Sequence, residues 1–264
     1  MQFDEAELYS GLAILHWANY TDPGWDHDYY QRAIERNGGV ALDIGCGSGR
    51  LLRSYLRAGL NVEGADISAD MLDACHSLAA EEGLTPVLHH QAMQQLDLPG
   101  RYNTIYIPCG TFVCVMDREE ALEALRRFHR HLAPGGELVF NIFNPDYDYS
   151  GATRHELPQP WQPWVRYPQR DGRMLVVERR LTAIEPIEQY EAEERRFRLF
   201  NGEELVSEEI RAGQSRWYFK HEVLLMLRLA GFNDVRVTGD YTDEAFGPQH
   251  TRTMVFSARR SEHV

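Results

Sequence analysis

The hydrophobic pattern of the chain is most regular around residue 40. Residues 40–44 read VALDI, four apolar residues that surround one acid, Asp43. Three glycines follow at alternating positions: Gly45, Gly47 and Gly49. An apolar run that ends in closely spaced glycines predicts a buried strand followed by a tight turn. Residues 50–57 then place leucine and tyrosine at the spacing of one helix face, so a helix should begin directly after the turn.

Strands and helices should alternate from this turn to residue 143. Apolar runs predict four further strands, at residues 62–68, 85–91, 102–108 and 137–143. Amphipathic segments predict helices at residues 70–83 and 118–133, with Ser68 as the N-cap of the first. This alternation predicts an α/β fold built on a doubly wound, mostly parallel sheet.

The N-terminal region has a different pattern. Two helices are predicted, about Phe3–Ala18 and Asp26–Arg36, because the Pro-Gly pair at residues 23–24 is a strong breaker. Both helices are rich in tyrosine and tryptophan, and most of these rings should belong to the core.

The segment after residue 144 changes character again. Residues 145–170 combine prolines with two tryptophans, which is typical of a covering loop. Three antiparallel strands should follow, at residues 173–183, 188–200 and 203–212, with a hairpin turn at Asn201-Gly202. Their many Glu and Arg residues indicate a solvated face. A helix within residues 217–232 and two strands, 234–241 and 251–259, complete the predicted elements.

Composition narrows the possible partners. The chain has 264 residues, 43% of them hydrophobic, which is enough for one sizeable core. The net charge of −13 argues against a nucleic-acid partner, since binding a phosphate backbone requires a basic surface. No apolar run approaches the ~20 residues of a membrane span, and the N-terminus is acidic, unlike a signal peptide. We therefore expect a cytoplasmic protein that binds neither nucleic acid nor a membrane.

Cysteine and histidine spacing predicts no metal site. The four cysteines, Cys46, Cys75, Cys109 and Cys114, form no C-x-x-C pair, so reduced thiols are expected. The neighbours His89 and His90 fall on one predicted strand and point to opposite faces, so they cannot share one ion. Cys46 lies inside the glycine turn, where a small buried side chain is a better explanation than a catalytic thiol.

The glycine spacing discriminates between possible ligands of the turn. A dinucleotide fingerprint needs G-x-G-x-x-G, but the sixth position from Gly45 is Arg50, and no lysine follows as a phosphate-binding loop requires. The sequence Asp43-Ile-Gly-Cys-Gly-Ser-Gly49 instead resembles motif I of class I S-adenosylmethionine-dependent methyltransferases. Asp66 follows roughly 20 residues after Gly45, the offset at which an acid reaches ribose hydroxyls.

The resemblance extends over nearly the whole chain. Leu132-Ala-Pro-Gly-Gly136 matches the L-x-P-G-G turn before the fifth strand of the family. The fold it implies is an α/β, Rossmann-like, doubly wound seven-stranded sheet with an antiparallel last strand, an N-terminal helical cap and an inserted antiparallel β segment. The chain then divides as one domain: helical cap 1–36, cofactor-binding core 37–145, covering loop and β insertion 146–216, and end of the core 217–264.

The resemblance also implies S-adenosyl-L-methionine as cofactor and a set of residues that bind it. Asp66 would bind the ribose, Ile67 and Met93 would enclose the adenine, and the glycine turn would approach the methionine moiety. The family's Gly-Asp-hydrophobe triplet is replaced by Gln91-Ala-Met93, so the acceptor for the adenine amino group is Gln91 or a backbone carbonyl. The predicted set is Asp43, Gly45, Cys46, Gly47, Gly49, Asp66, Ile67, Met71, Gln91, Ala92, Met93, Cys109 and Gly110.

The expected reaction is methyl transfer to a nitrogen or oxygen of a small-molecule acceptor. No catalytic base stands out. Residues that could contact the substrate or cap the site are Tyr20, Tyr29, Thr111, Phe112, Asn141, Asn144 and His221. Similar proteins with a β insertion at this place include sugar N-methyltransferases, whose insertions can form a dimer interface, so a homodimer is a reasonable expectation.

Two alternatives remain open at the level of sequence. The first is an enzyme that uses S-adenosylmethionine without methylating an acceptor, for example by intramolecular cyclisation. The second is a module that binds the cofactor without catalysis. A nucleic-acid methyltransferase fits least, because of the net negative charge.

Overall fold

A computed structural model of the chain describes residues 5–19, 24–143, 157–250 and 252–262. These residues form eleven strands: β1 (Ala41–Ile44), β2 (Val62–Asp66), β3 (Val87–His90), β4 (Tyr102–Ile107), β5 (Leu132–Phe143), β6 (Gln162–Pro168), β7 (Met174–Glu185), β8 (Tyr190–Asn201), β9 (Glu204–Arg216), β10 (Asp234–Gly239) and β11 (Thr253–Arg259). They also form six α-helices: α1 (Leu12–Asn19), α2 (His27–Asn37), α3 (Arg50–Arg57), α4 (Ala69–Glu81), α5 (Arg118–His131) and α6 (Lys220–Leu229).

Seven strands make the main sheet, in the order β10-β11-β5-β4-β1-β2-β3. β1 pairs in parallel with both β2 and β4, while β11 lies antiparallel between β5 and β10. This confirms the predicted Rossmann-like, doubly wound sheet with an antiparallel last strand. The strand order reverses beside β1, so the carboxyl ends of β1 and β4 border a crevice.

The alternation of side chains along each strand divides the core between two faces of this sheet. Leu42 and Ile44 of β1 join the apolar cluster under α5 and α6. Ala41 joins the cluster under α2 and α3, and the acid Asp43 is 1% exposed. Helix α4 begins where the sequence supplies a cap: Ser68 Oγ accepts from Met71 N at 3.2 Å, as predicted.

The first predicted helix is wrong as a single element. A 3-10 turn covers Glu5–Tyr9 and α1 begins only at Leu12, because the chain breaks at Gly11, where φ is +59°. A Cβ at Gly11 would lie 2.4 Å from Glu209 Oε2 of β9, and that carboxylate accepts from Leu12 N at 3.0 Å. A distant strand therefore sets the start of α1, which local periodicity cannot predict.

Four strands, not the predicted three, form a second antiparallel sheet, which we call the roof sheet, in the order β6-β7-β8-β9. The additional strand is β6, which falls within the predicted covering loop of residues 145–170. Prolines at the second and last positions of β6, Pro163 and Pro168, conceal its alternation, and they are tolerated because β6 is an edge strand. Residues 145–156 of that loop lie outside the described residues. The predicted hairpin at Asn201-Gly202 is confirmed, and φ of Gly202 is +59°.

Helix α1 packs on one face of the roof sheet and gives it a core of its own. This cluster contains Ala13, Leu175, Val177, Phe197 and Leu199. The same helix also contacts α4 of the main domain. The roof sheet is thereby held above the carboxyl ends of the main strands. Within the described part of the chain, no helix has the length and apolar character needed to cross a bilayer.

Candidate functional site

A cavity of about 330 Å³ lies at the carboxyl ends of β1 to β4, below the roof sheet. Twelve of the thirteen predicted cofactor residues line it: Asp43, Gly45, Cys46, Gly47, Asp66, Ile67, Met71, Gln91, Ala92, Met93, Cys109 and Gly110. Gly49 does not. It caps α3 in the left-handed conformation, and a Cβ there would lie 2.6 Å from Cys75 Sγ, so its role is in packing.

The glycine turn is tightly packed at Gly45 and open at Gly47. Gly45 has φ of +70°, and a Cβ at this position would lie 2.4 Å from Thr111 Cγ2, so the turn abuts the loop after β4. Gly47 has φ of +52°, and a Cβ there would meet no heavy atom of the described residues within 4 Å. The turn therefore presents backbone rather than side chains to the cavity at Gly47, as close approach of a ligand requires.

Asp66 connects the turn to the end of β2. Its Oδ2 accepts from Gly47 N and its Oδ1 from Ser68 N, both at 2.8 Å. The residue is 8% exposed, and burial raises the pKa of its carboxyl while these backbone donors counteract the rise. Each carboxylate oxygen has a second lone pair, so Asp66 can also accept from vicinal hydroxyls.

Asp43 carries a buried acceptor that no group in the described part of the chain satisfies. Its Oδ1 has no hydrogen-bond partner among the described residues. Burial raises the pKa of the Asp43 carboxyl to about 8, although the Tyr106 hydroxyl and the Arg50 guanidinium act in the opposite direction. A buried unsatisfied acceptor beside a cavity is suited to a ligand that donates there, such as an ammonium group.

The raised pKa of Asp43 predicts a specific pH dependence of stability. Between about pH 4 and pH 8 the native protein retains a proton that the unfolded chain has released, so the free energy of unfolding should fall as pH rises. This one group lowers the free energy of unfolding by roughly 1 kcal/mol per pH unit. Above the pKa of the folded state it has no further effect. Asp43→Asn removes this contribution. The urea midpoint of the variant minus that of the wild type should therefore increase between pH 5 and pH 8. A difference between the two midpoints that is constant with pH would contradict the raised pKa.

The end of β3 forms the apolar part of the cavity. Met71, Ala92 and Met93 line it. The amide of Gln91 is engaged elsewhere: Nε2 donates to Asp97 O at 3.3 Å, and Oε1 accepts from Asp97 N at 2.8 Å. It holds the following loop in place, so only the second lone pair of Oε1 is left to accept from an adenine amino group. Gln94, which the sequence analysis did not single out, also lines this end.

The loop after β4 is held from behind by β5. Cys109 has φ of +58° and Gly110 of +71°. Gly110 N donates to Asn141 Oδ1 at 2.9 Å, and Thr111 Oγ1 donates to Pro108 O at 2.7 Å. Thr111 lines the cavity as predicted. Asn141 is fully buried behind the loop and does not line it, so it positions the loop rather than facing a ligand.

A buried ion pair supports the same loop and was missed from sequence. Arg50 donates from Nη1 and Nη2 to the two carboxylate oxygens of Asp26, at 2.7 and 2.6 Å, and the Asp26 side chain is 1% exposed. Arg50 Nη2 also lies 3.1 Å from Cys109 Sγ. The only sequence signal was an arginine at the first position of α3, which alone does not identify its partner.

The N-terminal segment covers the cavity, but with residues other than those predicted. Tyr9 and Trp17 line it. Serines of the two cofactor loops hold them: Ser68 Oγ donates to Tyr9 O at 3.1 Å, and Ser48 Oγ donates to Trp17 O at 3.0 Å. Tyr29 was predicted to cap the site, but its hydroxyl lies 2.9 Å from Thr238 Oγ1 and the residue lines a separate cleft.

Other predicted substrate or cap residues also lie away from the cavity. Phe112 is fully buried in the core cluster under α5 and α6. His221 is exposed at the start of α6 and is not among the lining residues. Tyr20 and Asn144 lie outside the described residues.

The roof of the cavity corrects the prediction of a purely solvated face on the β insertion. Five polar residues of the roof sheet line the same cavity: Arg179, Glu191, Glu193, Arg195 and Ser215. Their neighbours along the strands, such as Arg180 and Arg196, point to the opposite face and pair with Glu194 and Glu178. The sequence contained a signal for this arrangement. Side chains alternate between the two faces of a strand, so residues 191, 193 and 195 lie on the same face as the apolar residues Phe197 and Leu199.

Comparison with known proteins agrees with this geometry. A model described as a methyltransferase domain matches residues 41–136. The cypemycin N-terminal methyltransferase of a Streptomyces species is 24% identical over 225 residues, 85% of this chain and 84% of that protein. The dTDP-3-amino-3,6-dideoxy-alpha-D-glucopyranose N,N-dimethyltransferase of Streptomyces fradiae is 29% identical over 160 residues, 55% of this chain and 61% of that protein. An S-adenosylmethionine-dependent methyltransferase from Clostridium acetobutylicum superposes with a TM-score of 0.74 at 16% identity, covering 94% of this chain and 98% of that one.

The residues at the cavity fit S-adenosylmethionine. The orphaned Asp43 Oδ1 can accept from a cationic amine, Asp66 has free lone pairs for ribose hydroxyls, and the open side of Gly47 leaves room beside the turn. The apolar end at β3 suits an aromatic base. The motif, the doubly wound sheet and the methyltransferase domain matched at residues 41–136 all agree with a class I S-adenosylmethionine-dependent methyltransferase.

Proposed function

We propose that this enzyme methylates a nitrogen of a small-molecule amine. The observation that carries the proposal is the acid–base character of the cavity lining, which contains Glu191 and Glu193 and, among the described residues, neither histidine nor lysine. An amine attacks through its own lone pair, and a carboxylate suffices to orient it and to accept its proton. A hydroxyl needs a stronger base. Of the two relatives named above, one is an N-terminal methyltransferase and the other an N,N-dimethyltransferase by name, which supports nitrogen over oxygen.

The residues proposed to hold the cofactor are the twelve that line the cavity near the glycine turn. Asp66 would bind the ribose hydroxyls, while Ile67 and Met93 would enclose the adenine. Bound there, S-adenosylmethionine supplies a methyl group already activated by its sulfonium centre. The chain then has to align the acceptor with that group and exclude water. Tyr9 and Trp17 would cover one side, and the roof sheet would hold the acceptor on the other.

The proposal is tested by offering matched acceptors to the purified enzyme. Amino sugars and short peptides with a free N-terminus are compared with their hydroxyl counterparts, and S-adenosylhomocysteine and methylated product are measured by mass spectrometry. We expect product from amines only. Equal methylation of the hydroxyl compounds would contradict the proposal, and release of methylthioadenosine would identify the cyclisation alternative instead.

Glu191→Gln should lower kcat/KM for an accepted amine by about tenfold, because the amide cannot take the proton and holds an ammonium less well. The matched control is Glu194→Gln on the same strand, whose side chain pairs with Arg180 on the opposite face. It should leave kcat/KM unchanged. If both variants behave alike, Glu191 has no part in handling the acceptor.

We also propose that the protein forms a homodimer through the roof sheet. β9 is an edge strand, and Leu205, Val206 and Ile210 on it are 47, 51 and 48% exposed. Open strand edges with apolar side chains favour pairing with another chain.

The dimer proposal predicts the molar mass in solution. Light scattering should give the mass of two chains for the wild type and of one chain for Ile210→Lys, because a charge on the edge opposes pairing. The control is Ile187→Lys, which changes a 90% exposed residue in the turn between β7 and β8. A wild type that remains monomeric at high concentration would contradict the proposal.

A further inference from the structure

The roof of the cavity contains an arginine with a donor that no described protein group satisfies. Arg195 binds Glu193 Oε1 through Nε at 2.7 Å and Nη2 at 2.5 Å. Its side chain is 15% exposed, and the remaining nitrogen, Nη1, is buried without a hydrogen-bond partner among the described residues. Glu193 therefore fixes the orientation of the guanidinium and leaves one donor edge for something else. A buried unsatisfied donor is costly, so its retention beside a cavity points to a ligand.

A second arginine lies opposite the first on the neighbouring strand. Arg179 of β7 is in register with Arg195 of β8, and both line the cavity. Like charges directly opposite each other destabilise a sheet. Arg179 is exposed and forms no ion pair with a described carboxylate. The two guanidinium carbons lie 5.4 and 5.2 Å from the ring centroid of Trp164, which holds both at one end of the roof.

The part of the roof sheet beside these arginines carries both positive and negative side chains. Glu191 and Glu193 lie on the same face of β8 as Arg195, and all three line the cavity with Arg179. Glu193 binds only Nε and Nη2 of the Arg195 guanidinium and leaves Nη1 for another acceptor. An anionic group of a ligand would meet the arginines, and a cationic group would meet Glu191, which also accepts from Ser215 Oγ at 3.4 Å.

We propose that Arg179 and Arg195 form an anion subsite for the acceptor, so that the acceptor is a zwitterion that carries a carboxylate or phosphate group besides its amine. The inference rests on the proposed amine acceptor and adds the anionic group. Guanidinium groups match both carboxylate and phosphate oxygens in a bidentate manner. The subsite selects among amines and holds the accepted one in a fixed orientation above the glycine turn.

The first experiment measures kcat/KM for pairs of amines that differ only in the anionic group: an amino acid and its amide, and an amino sugar phosphate and the free amino sugar. We expect the anionic member of at least one pair to be preferred by tenfold or more, mainly through KM. Which pair shows the preference separates carboxylate from phosphate. Arg179→Met and Arg195→Lys should each reduce this preference to less than about threefold, since the first removes a charge and the second keeps the charge but loses the planar fork.

The matched control is Arg180→Met, which removes the same charge from the adjacent position of β7 on the opposite face. It should keep the full preference. If the neutral and anionic amines are used equally, or if Arg179→Met retains the preference, the anion subsite is refuted while the proposed N-methylation stands. Arg179→Met is the safer variant for folding, because that residue is exposed.

The second experiment does not depend on turnover. The complex with S-adenosylhomocysteine is titrated with inorganic phosphate and with acetate by calorimetry, in the wild type, Arg179→Met and Arg180→Met. We expect saturable binding of one anion that Arg179→Met weakens at least tenfold and Arg180→Met leaves unchanged. Should no amine be methylated, the proposed function fails, but this titration still decides whether the subsite exists. Binding that is absent, or equal in all three proteins, overturns it.

Discussion

Replacing Asp66 by alanine is expected to lower the affinity for S-adenosylmethionine by about a hundredfold or more. The variant loses the carboxylate that holds Gly47 N in the glycine turn and the proposed acceptor for the ribose hydroxyls. Hydrogen bonds to a charged group contribute about 1.5 to 3 kcal/mol each, so the loss of two of them corresponds to this factor. Calorimetric titration of wild type and variant with S-adenosylmethionine and S-adenosylhomocysteine measures it directly.

The matched control is Asp73→Ala, which removes an acid from an exposed position of α4. It should bind both sulfur nucleotides as the wild type does. NAD serves as the third ligand and should not bind, because the glycines of the turn lack the dinucleotide spacing. An Asp66→Ala protein that retains wild-type affinity would refute the proposed ribose contact.

The largest effect on stability is expected from Arg50→Met. This change leaves the Asp26 carboxylate, 1% exposed, without the cation that neutralises it. Breaking a buried ion pair at one end costs about 3 to 5 kcal/mol, because the remaining charge stays desolvated. Urea unfolding without cofactor should show a midpoint far below that of the wild type.

Two further variants test the cause. Arg173→Met breaks a solvent-exposed ion pair with Asp171 and should leave the midpoint unchanged. The double variant Asp26→Asn/Arg50→Met should recover part of the lost stability, because no buried charge then remains. If the double variant is less stable than Arg50→Met alone, desolvation of Asp26 is not the reason for the loss.

Much of the cofactor side of the cavity could be predicted from sequence, because its signals are local. Asp43 and the glycines after it are contiguous, and a buried strand that breaks into such a turn has few alternatives. Asp66 follows at the end of the next strand. Parallel strands bring their carboxyl ends to one edge, so the order of elements alone places these residues together.

The acceptor side could not be predicted in the same way, because contacts distant in sequence define it. Nothing near residue 50 in the sequence indicates that Asp26 pairs with Arg50. The prediction that Tyr29 caps the site was wrong, since α2 turns that residue toward Thr238. Glu191 and Arg195 resemble ordinary surface residues until the roof sheet is folded over the cavity. The roles of the individual site residues remain predictions.

The separate core of the roof sheet has a consequence for how this enzyme could diversify. Leu175, Val177, Phe197 and Leu199 pack with α1 and not with the two clusters that support the main sheet. If the roof sheet binds the acceptor as proposed, substitutions at Arg179 or Glu191 would change what it recognises without disturbing the strands that carry Asp43 and Asp66. Selection can act on acceptor choice and on cofactor binding almost independently. A lineage of such enzymes could adopt new acceptors by changing a few inward-facing positions of the roof sheet alone.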